Sequence, residues 1–126
     1  MALSLGIKGQ AEVLVVHENT AAAVGSGALE VFATPSMLAL MEKCALESIQ
    51  PYLAEGESSV GTHLDVSHLA ATPLGHTVRA ESELIEIDRR RLLFRVAAYD
   101  GDKLIGEGTH ERFVVDSEKF IKKALG

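Results

Sequence analysis

The chain is short of cysteine, aromatic residues and long apolar runs, and these shortages exclude several classes of protein. Its 126 residues include one cysteine, Cys44, and no tryptophan, which excludes an internal disulfide framework and a thiolate metal cluster. No apolar stretch is long enough to span a bilayer, and the opening residues lack the apolar core of a signal peptide. We therefore expect a cytoplasmic protein that does not associate with membranes.

Positive charge is also scarce. The chain has 12 lysines and arginines against 18 aspartates and glutamates, for a net charge of −6. Because nucleic acids and anionic membranes bind to basic surfaces, neither is expected as a partner. The histidines show no spacing typical of a metal site, so we expect no metal.

The order of patterned segments predicts a single α+β domain over residues 1–126. A Gly/Ser-rich loop or flap is expected over 18–30, a long helix over 34–50 and an amphipathic helix over 117–125. Strand-like alternation covers 11–16, 59–70, 76–88, 91–101 and 103–116. Short turns join the last four strands, which makes them antiparallel, and we expect this sheet to curl around the long helix.

The long helix carries one residue that its pattern does not explain. Thr34 is predicted as the N-cap, with Pro35 in the first helical position and Pro51 ending the helix. At roughly 100° per residue, Glu42 falls inside the apolar arc, whereas Lys43 lies on the charged side. Glu42 is therefore a candidate functional residue. The alternative is a glutamate at the helix margin that extends its carboxylate to water.

The strand at 59–70 has an apolar face that we expect to pack on this helix. Alternation places on that face Val60, Thr62, Leu64, Val66, His68 and Ala70. Glu42 and His68 thus lie on surfaces predicted to pack together, and a carboxylate near an imidazole can transfer protons near neutral pH. The alternative is a core histidine bonded to the backbone.

Three further features have both a structural and a functional interpretation. An N-cap hydroxyl at Thr34 lies beside the free N–H groups of the first helical turn, which can hold an anion. Gly61 indicates either a strand bulge or a close approach of the backbone to a ligand. Arg89, Arg90 and Arg91 form a basic turn that could bind phosphate, or simply a hairpin tip in water.

Three blocks of the sequence resemble a known family. "VFATPSMLALMEKCA", "VGTHLDVSHLAATPLGHTVRAESEL" and "DGDKLIGEGTHERFVV" are similar to the hot-dog-fold acyl-CoA thioesterases, in particular the fluoroacetyl-CoA thioesterase group. The resemblance runs from about Val31 to the end of the chain. It implies a long helix wrapped by an antiparallel sheet and a homodimer with active sites at the subunit interface. It also implies hydrolysis of a small acyl-CoA, with CoA entering as part of the substrate and no cofactor.

The resemblance also implies which residues act. The matching catalytic residues are Thr34 in "FAT", Glu42 in "LMEKC" and His68 in "VSHLAATP", and Gly61 in "SVGTH" supplies a backbone group. Glu42 is expected to be either the general base or the nucleophile. Two alternatives are a non-catalytic acyl-CoA-binding hot-dog module and a hot-dog hydratase or dehydratase, whose usual motif is not visible.

The segment before "VFAT" departs from this group. The fluoroacetyl-CoA enzyme has bulky aromatic residues there that act as a lid, whereas this chain has "AVGSGALE". We therefore expect a broader range of acyl groups.

Overall fold

The computed structural model describes residues 2–126 and confirms the predicted α+β architecture. Its strands are β1 (Lys8–Leu14), β2 (Glu57–His68), β3 (Thr77–Asp88), β4 (Arg91–Asp100) and β5 (Lys103–Asp116). Its helices are α1 (Ala21–Val24), α2 (Thr34–Ile49) and α3 (Ser117–Leu125). A 3₁₀ turn precedes α1 at His17–Asn19, and another follows α2 at Gln50–Tyr52. None of the helices in this part of the chain has the length and hydrophobicity needed to cross a membrane.

The strands form one antiparallel sheet in the order β1-β3-β4-β5-β2. Tight turns join the last three strands, and Gly101 adopts the left-handed conformation (φ 61°) that the β4–β5 turn requires. Strands β1 and β2 are the two edges. An edge strand presents unpaired N–H and C=O groups, so it is a natural place for another chain to pair.

Helix α2 packs across one face of this sheet and contacts β1, β2, β3 and β4. Its inward side chains meet apolar residues from the central strands; the largest are Met37, Met41, Ile49, Leu84 and Phe94, each without exposed surface. Burying one such side chain contributes about 1.5–3 kcal/mol. Lys43 and Glu47 are exposed, as the helical pattern predicts.

Two local predictions are wrong. The N-cap of α2 is Ala33, and no side chain caps the helix, so Thr34 is already a helical residue. Its hydroxyl is engaged elsewhere, as described below. The predicted loop over 18–30 contains helix α1, whose N-cap Thr20 accepts a hydrogen bond from the N–H of Ala23 and which Gly25 ends at φ 84°.

Strand β2 contains a bulge that changes which residues face the helix. Its register with β5 shifts between Gly61 and His63, so Thr62 is an extra residue. The predicted alternation therefore holds only after the bulge, where Leu64 and His68 are partly buried. Before it, the inward residues are Ser59 and Gly61, and the assignments of Val60 and Thr62 to the inner face are wrong.

Candidate active site

The first turn of α2 and the end of β2 meet through a short hydrogen bond. The hydroxyl oxygen of Thr34 lies 2.6 Å from Nδ1 of His68. Thr34 can form this contact because its backbone is helical and its side chain is not used as a cap. The pair thus fixes the orientation of the imidazole.

The other ring nitrogen of His68 makes no hydrogen bond of this kind within the described part of the chain. Its Nε2 is buried and has no hydrogen-bond partner among residues 2–126. Burial lowers the pKa of His68, because a charged imidazole loses hydration there. The lowered pKa favours the neutral ring, with Nδ1 held by Thr34.

A cavity of about 340 Å³ lies beside this pair. Its other lining residues are small or apolar and come from α1, the segment that follows it and the residues just after β2: Ala21, Ser26, Val31, Phe32, Leu69, Ala70 and Ala71. The predicted flap therefore forms one wall of the cavity, and that wall contains no aromatic side chain from residues 21–30.

Glu42 lies in a second group of residues, on the inner face of the sheet. A Cβ atom at Gly61 would overlap Oε2 of Glu42, so only glycine allows the carboxylate to approach the strand this closely. The Glu42 side chain is 40% exposed. The Gly61 backbone therefore lies close to the Glu42 carboxylate, which is partly exposed.

A buried arginine faces the same carboxylate. Nη1 of Arg112 lies 4.0 Å from Oε2 of Glu42, and the arginine side chain is only 5% exposed. Burial lowers the pKa of Arg112, and the negative charge of Glu42 opposes that shift. Arginine stays charged even so, and Glu42 supplies the opposite charge that a buried cation needs.

Sequence reasoning missed Arg112 and its neighbour His110. The signal was available, because both alternate along β5 with Val114, an apolar residue that has to face the core. Each of the three is nearly or fully buried.

The predicted contact between Glu42 and His68 is not found within one chain. Thr34 and Glu42 are eight residues apart, or about 12 Å along the helix axis. Gly61 and His68 are separated by about 20 Å along β2. One chain therefore carries two separate groups, Thr34 with His68 and Glu42 with Gly61 and Arg112.

The basic turn lies at the Glu42 end of the sheet. Arg91 pairs with Phe113, which pairs in turn with Val60, so the β3–β4 hairpin lies level with the start of the bulge. Arg90 forms an ion pair with Glu57 at 3.2 Å.

Arg89, at the tip of the same hairpin, is 93% exposed and lies 3.6 Å from Asp88. The interpretation of Arg89 and Arg90 as phosphate ligands stays a prediction.

Other candidate chemistry is absent from the described part of the chain. Residues 2–126 contain no group of three or more histidine, cysteine, aspartate or glutamate side chains placed to hold a metal ion. The thiol of Cys44 is buried against Ser82 and the carbonyl of Ala80, and burial raises its pKa. Cys44 is thus a packing residue.

Sequence comparison relates the chain to one family. Residues 15–118 match the family described as FlK, fluoroacetyl-CoA-specific thioesterase. A curated fluoroacetyl-CoA thioesterase from Streptantibioticus cattleyicolor is 51% identical over 94 residues, which make up 75% of this chain and 68% of that protein.

Comparison with solved structures supports the same family. The fluoroacetyl-CoA thioesterase FlK is 40% identical with a TM-score of 0.90, over 97% of this chain and 95% of that one. A hypothetical Thermus thermophilus protein of the thioesterase superfamily is 29% identical with a TM-score of 0.88, over 96% and 90%. A hot-dog-like protein from Thermanaerovibrio acidaminovorans is 27% identical with a TM-score of 0.87, also over 96% and 90%. These similarities confirm the predicted hot-dog fold.

Proposed function

Because this chain belongs to the fluoroacetyl-CoA-specific thioesterase family, it is a thioester hydrolase, and we propose that it cleaves a small acyl-CoA to the free acid and CoA. Glu42, His68 and Thr34 are the proposed catalytic residues. The observation that carries this assignment is the accessible carboxylate of Glu42, held between the Gly61 backbone and the Arg112 guanidinium. Neither a metal nor a cofactor takes part, and CoA enters only as part of the substrate.

The two groups of site residues come together in a homodimer. Edge strand β2 pairs antiparallel with β2 of a second copy around a two-fold axis near Asp65. This arrangement sets the partner's His68 opposite the bulge at Gly61. Glu42 of one chain then faces the Thr34–His68 pair of the other, so each active site uses both chains.

The reaction uses both groups, Glu42 for the proton of water and the Thr34–His68 pair for the leaving sulfur. Glu42 takes a proton from water, which attacks the thioester carbonyl, or attacks that carbonyl itself to form an anhydride that water then hydrolyses. The C–O bond forms, the C–S bond breaks and the electron pair leaves with the sulfur. When the Thr34 hydroxyl donates to Nδ1, Nε2–H of the neutral His68 ring donates a hydrogen bond to the departing sulfur, and the thiolate takes up the proton that the attacking water releases.

Charge on the carbonyl oxygen develops in a place supplied with hydrogen-bond donors. The Gly61 backbone and the N–H groups at the start of α2 stabilise that oxygen as the tetrahedral intermediate forms. Preorganised donors of this kind contribute about a hundredfold or more to turnover. Arg89 and Arg90, at the Glu42 end of the sheet, are proposed to bind the phosphates of CoA.

Release of free thiol from a panel of acyl-CoAs, followed with a thiol dye, tests this function. The panel runs from acetyl-CoA and fluoroacetyl-CoA to medium-chain and aryl esters. We expect hydrolysis of several members by the wild-type chain. Binding of acyl-CoA without thiol release would instead indicate a binding module, and water addition to an enoyl-CoA would indicate a hydratase.

A further inference from the structure

The ring of His110 is engaged at both nitrogens, and its partners determine its protonation state. Nδ1 lies 2.9 Å from the carbonyl oxygen of His63, which can only accept, so Nδ1 carries a proton. Nε2 lies 3.1 Å from Nη1 of Arg112, which can only donate, so Nε2 is an acceptor. Only the neutral Nδ1–H tautomer satisfies both contacts.

The surroundings of His110 favour this neutral state. The residue has no exposed surface and stacks on Phe94 of β4, with the ring centroids 6.2 Å apart. The charged groups that influence its pKa are Arg112 and Glu111 on its own strand and Glu42 on α2. Burial is the main reason that the pKa of His110 is lowered, and Arg112 adds to the shift while the two glutamates oppose it.

The guanidinium of Arg112 is held by three acceptors. Nε donates to the hydroxyl of Ser59 at 2.8 Å and Nη2 donates to the carbonyl of the same residue at 2.8 Å. The third acceptor is His110 Nε2, which binds Nη1. Nη1 is also the atom nearest to Glu42, so the contact with His110 sets the distance between the arginine and the carboxylate.

We propose that His110 is a positioning residue, whose neutral ring fixes Arg112 beside the carboxylate of Glu42. Without this acceptor, an N–H of a buried guanidinium loses its partner. Arg112 then turns toward Glu42 and pulls the carboxylate away from Gly61. This inference rests on the proposed function, since Glu42 is the group whose placement matters for hydrolysis.

The tautomer can be tested in the unmodified protein. Long-range ¹H–¹⁵N NMR of the imidazole rings should show His110 as the neutral Nδ1–H form throughout the pH range of activity. A protonated ring, or the Nε2–H tautomer, overturns the proposal without any mutation.

Two substitutions then separate positioning from packing. Gln at position 110 can present an acceptor where Nε2 lies, whereas Asn reaches only the Nδ1 position and keeps the bond to the His63 carbonyl. We expect H110N to lower kcat about tenfold and to move the acid limb of the kcat/KM profile to lower pH, because Arg112 then lies closer to the carboxylate. We expect H110Q to keep most of the wild-type kcat and profile. H76Q, at an exposed histidine that bonds Asp100, is the control.

Crystal structures of the two variants give a readout that does not depend on activity. The distance from Arg112 Nη1 to Glu42 Oε2, 4.0 Å in the native chain, should change in H110N and be retained in H110Q. If H110N keeps the native distance, the proposal is overturned. A wild-type kcat in H110N also overturns it. An inactive wild-type chain counts against the proposed function instead, and the structures still decide the role of His110.

Discussion

The hydroxyl oxygen of Thr34 lies 2.6 Å from Nδ1 of His68, which ties the first turn of α2 to the last residue of β2. This contact explains why a threonine that resembles a helix cap does not act as one. It also leaves His68 Nε2 without a partner among residues 2–126. The orientation of the imidazole therefore depends on a hydroxyl two helical turns from Glu42.

Removal of the Thr34 hydroxyl should slow the reaction without unfolding the chain. We expect Thr34→Ala to lower kcat by about 10–100-fold, because the imidazole loses the contact that orients it. Thr34→Ser keeps the hydroxyl and should retain most of the activity. Steady-state kinetics of the two variants provide the check, and equal losses in both would show that the hydroxyl has no role.

Replacement of Glu42 by glutamine should abolish most turnover. An amide can neither accept a proton from water nor attack the carbonyl, so we expect kcat to fall about a hundredfold or more. Since Gln cannot balance the charge of Arg112, we expect a melting temperature lower by no more than about 4 °C. Glu47→Gln, at an exposed position of the same helix, is the matched control. Near-normal turnover in Glu42→Gln would refute the assignment.

Mixed dimers test whether each active site uses two chains. Glu42→Gln and His68→Ala should each be inactive alone. When the two are allowed to exchange subunits, half of the dimers are mixed and each has one intact site, so about a quarter of wild-type activity should return.

Two results would contradict this arrangement. If Glu42 and His68 acted within one chain, every site in the mixture would lack one of them and no activity would return. A monomer by light scattering would contradict the dimer itself.

The cavity beside the Thr34–His68 pair, which we propose holds the acyl group, predicts a broad substrate range. Its wall at Ala21 and Ser26 carries no bulky group, and a loose apolar pocket discriminates by only about 1–3 kcal/mol per methylene. We therefore expect similar kcat/KM values for fluoroacetyl-CoA and acetyl-CoA, and hydrolysis of longer acyl groups. A strong preference for the fluorinated substrate would show that discrimination does not require an aromatic lid.

The lowered pKa values of His68 and His110 should make the protein less stable in mild acid. Burial lowers the pKa of His68 and of His110, whereas both titrate near 6.5 in the unfolded chain. Below that pH the unfolded state binds more protons than the folded state, so the free energy of unfolding decreases as the pH falls.

Thermal melts between about pH 8 and pH 5.5 measure this effect above the range where carboxylates titrate. The melting temperature should decrease toward the acid end, and less steeply in H110Q. A flat dependence would contradict the neutral state of both rings.

Much of the fold could be predicted because its signals are local. Alternation and turn residues identified all five strands, and the helical pattern singled out Glu42 before any geometry was known. The bulge at Thr62 could not be predicted, because an extra residue in a strand depends on its pairing with β5. The assignment of His68 to the inner face was right, whereas the same alternation misplaced Val60.

The details of the site depend on contacts between distant segments. Threonine is a residue type preferred at helix N-caps, but the Thr34 hydroxyl bonds a residue 34 positions away. Arg112 and His110 were missed because a charged and a titratable residue were not expected on a face shared with Val114. The separation of Glu42 from His68 depends on how α2 crosses the sheet, which no local pattern reports.

The extra residue at Thr62 has a consequence for how the sequence can vary. Gly61 and His68 are an odd number of residues apart, so a regular strand would turn them to opposite faces. Loss of one residue here would leave a strand that still pairs with β5, while either the glycine or the histidine would point away from α2. A single-residue deletion at this place should therefore abolish activity while the fold is kept. The segment from Ala21 to Ala28 has no such constraint, so a change in its length would alter which acyl groups the enzyme prefers.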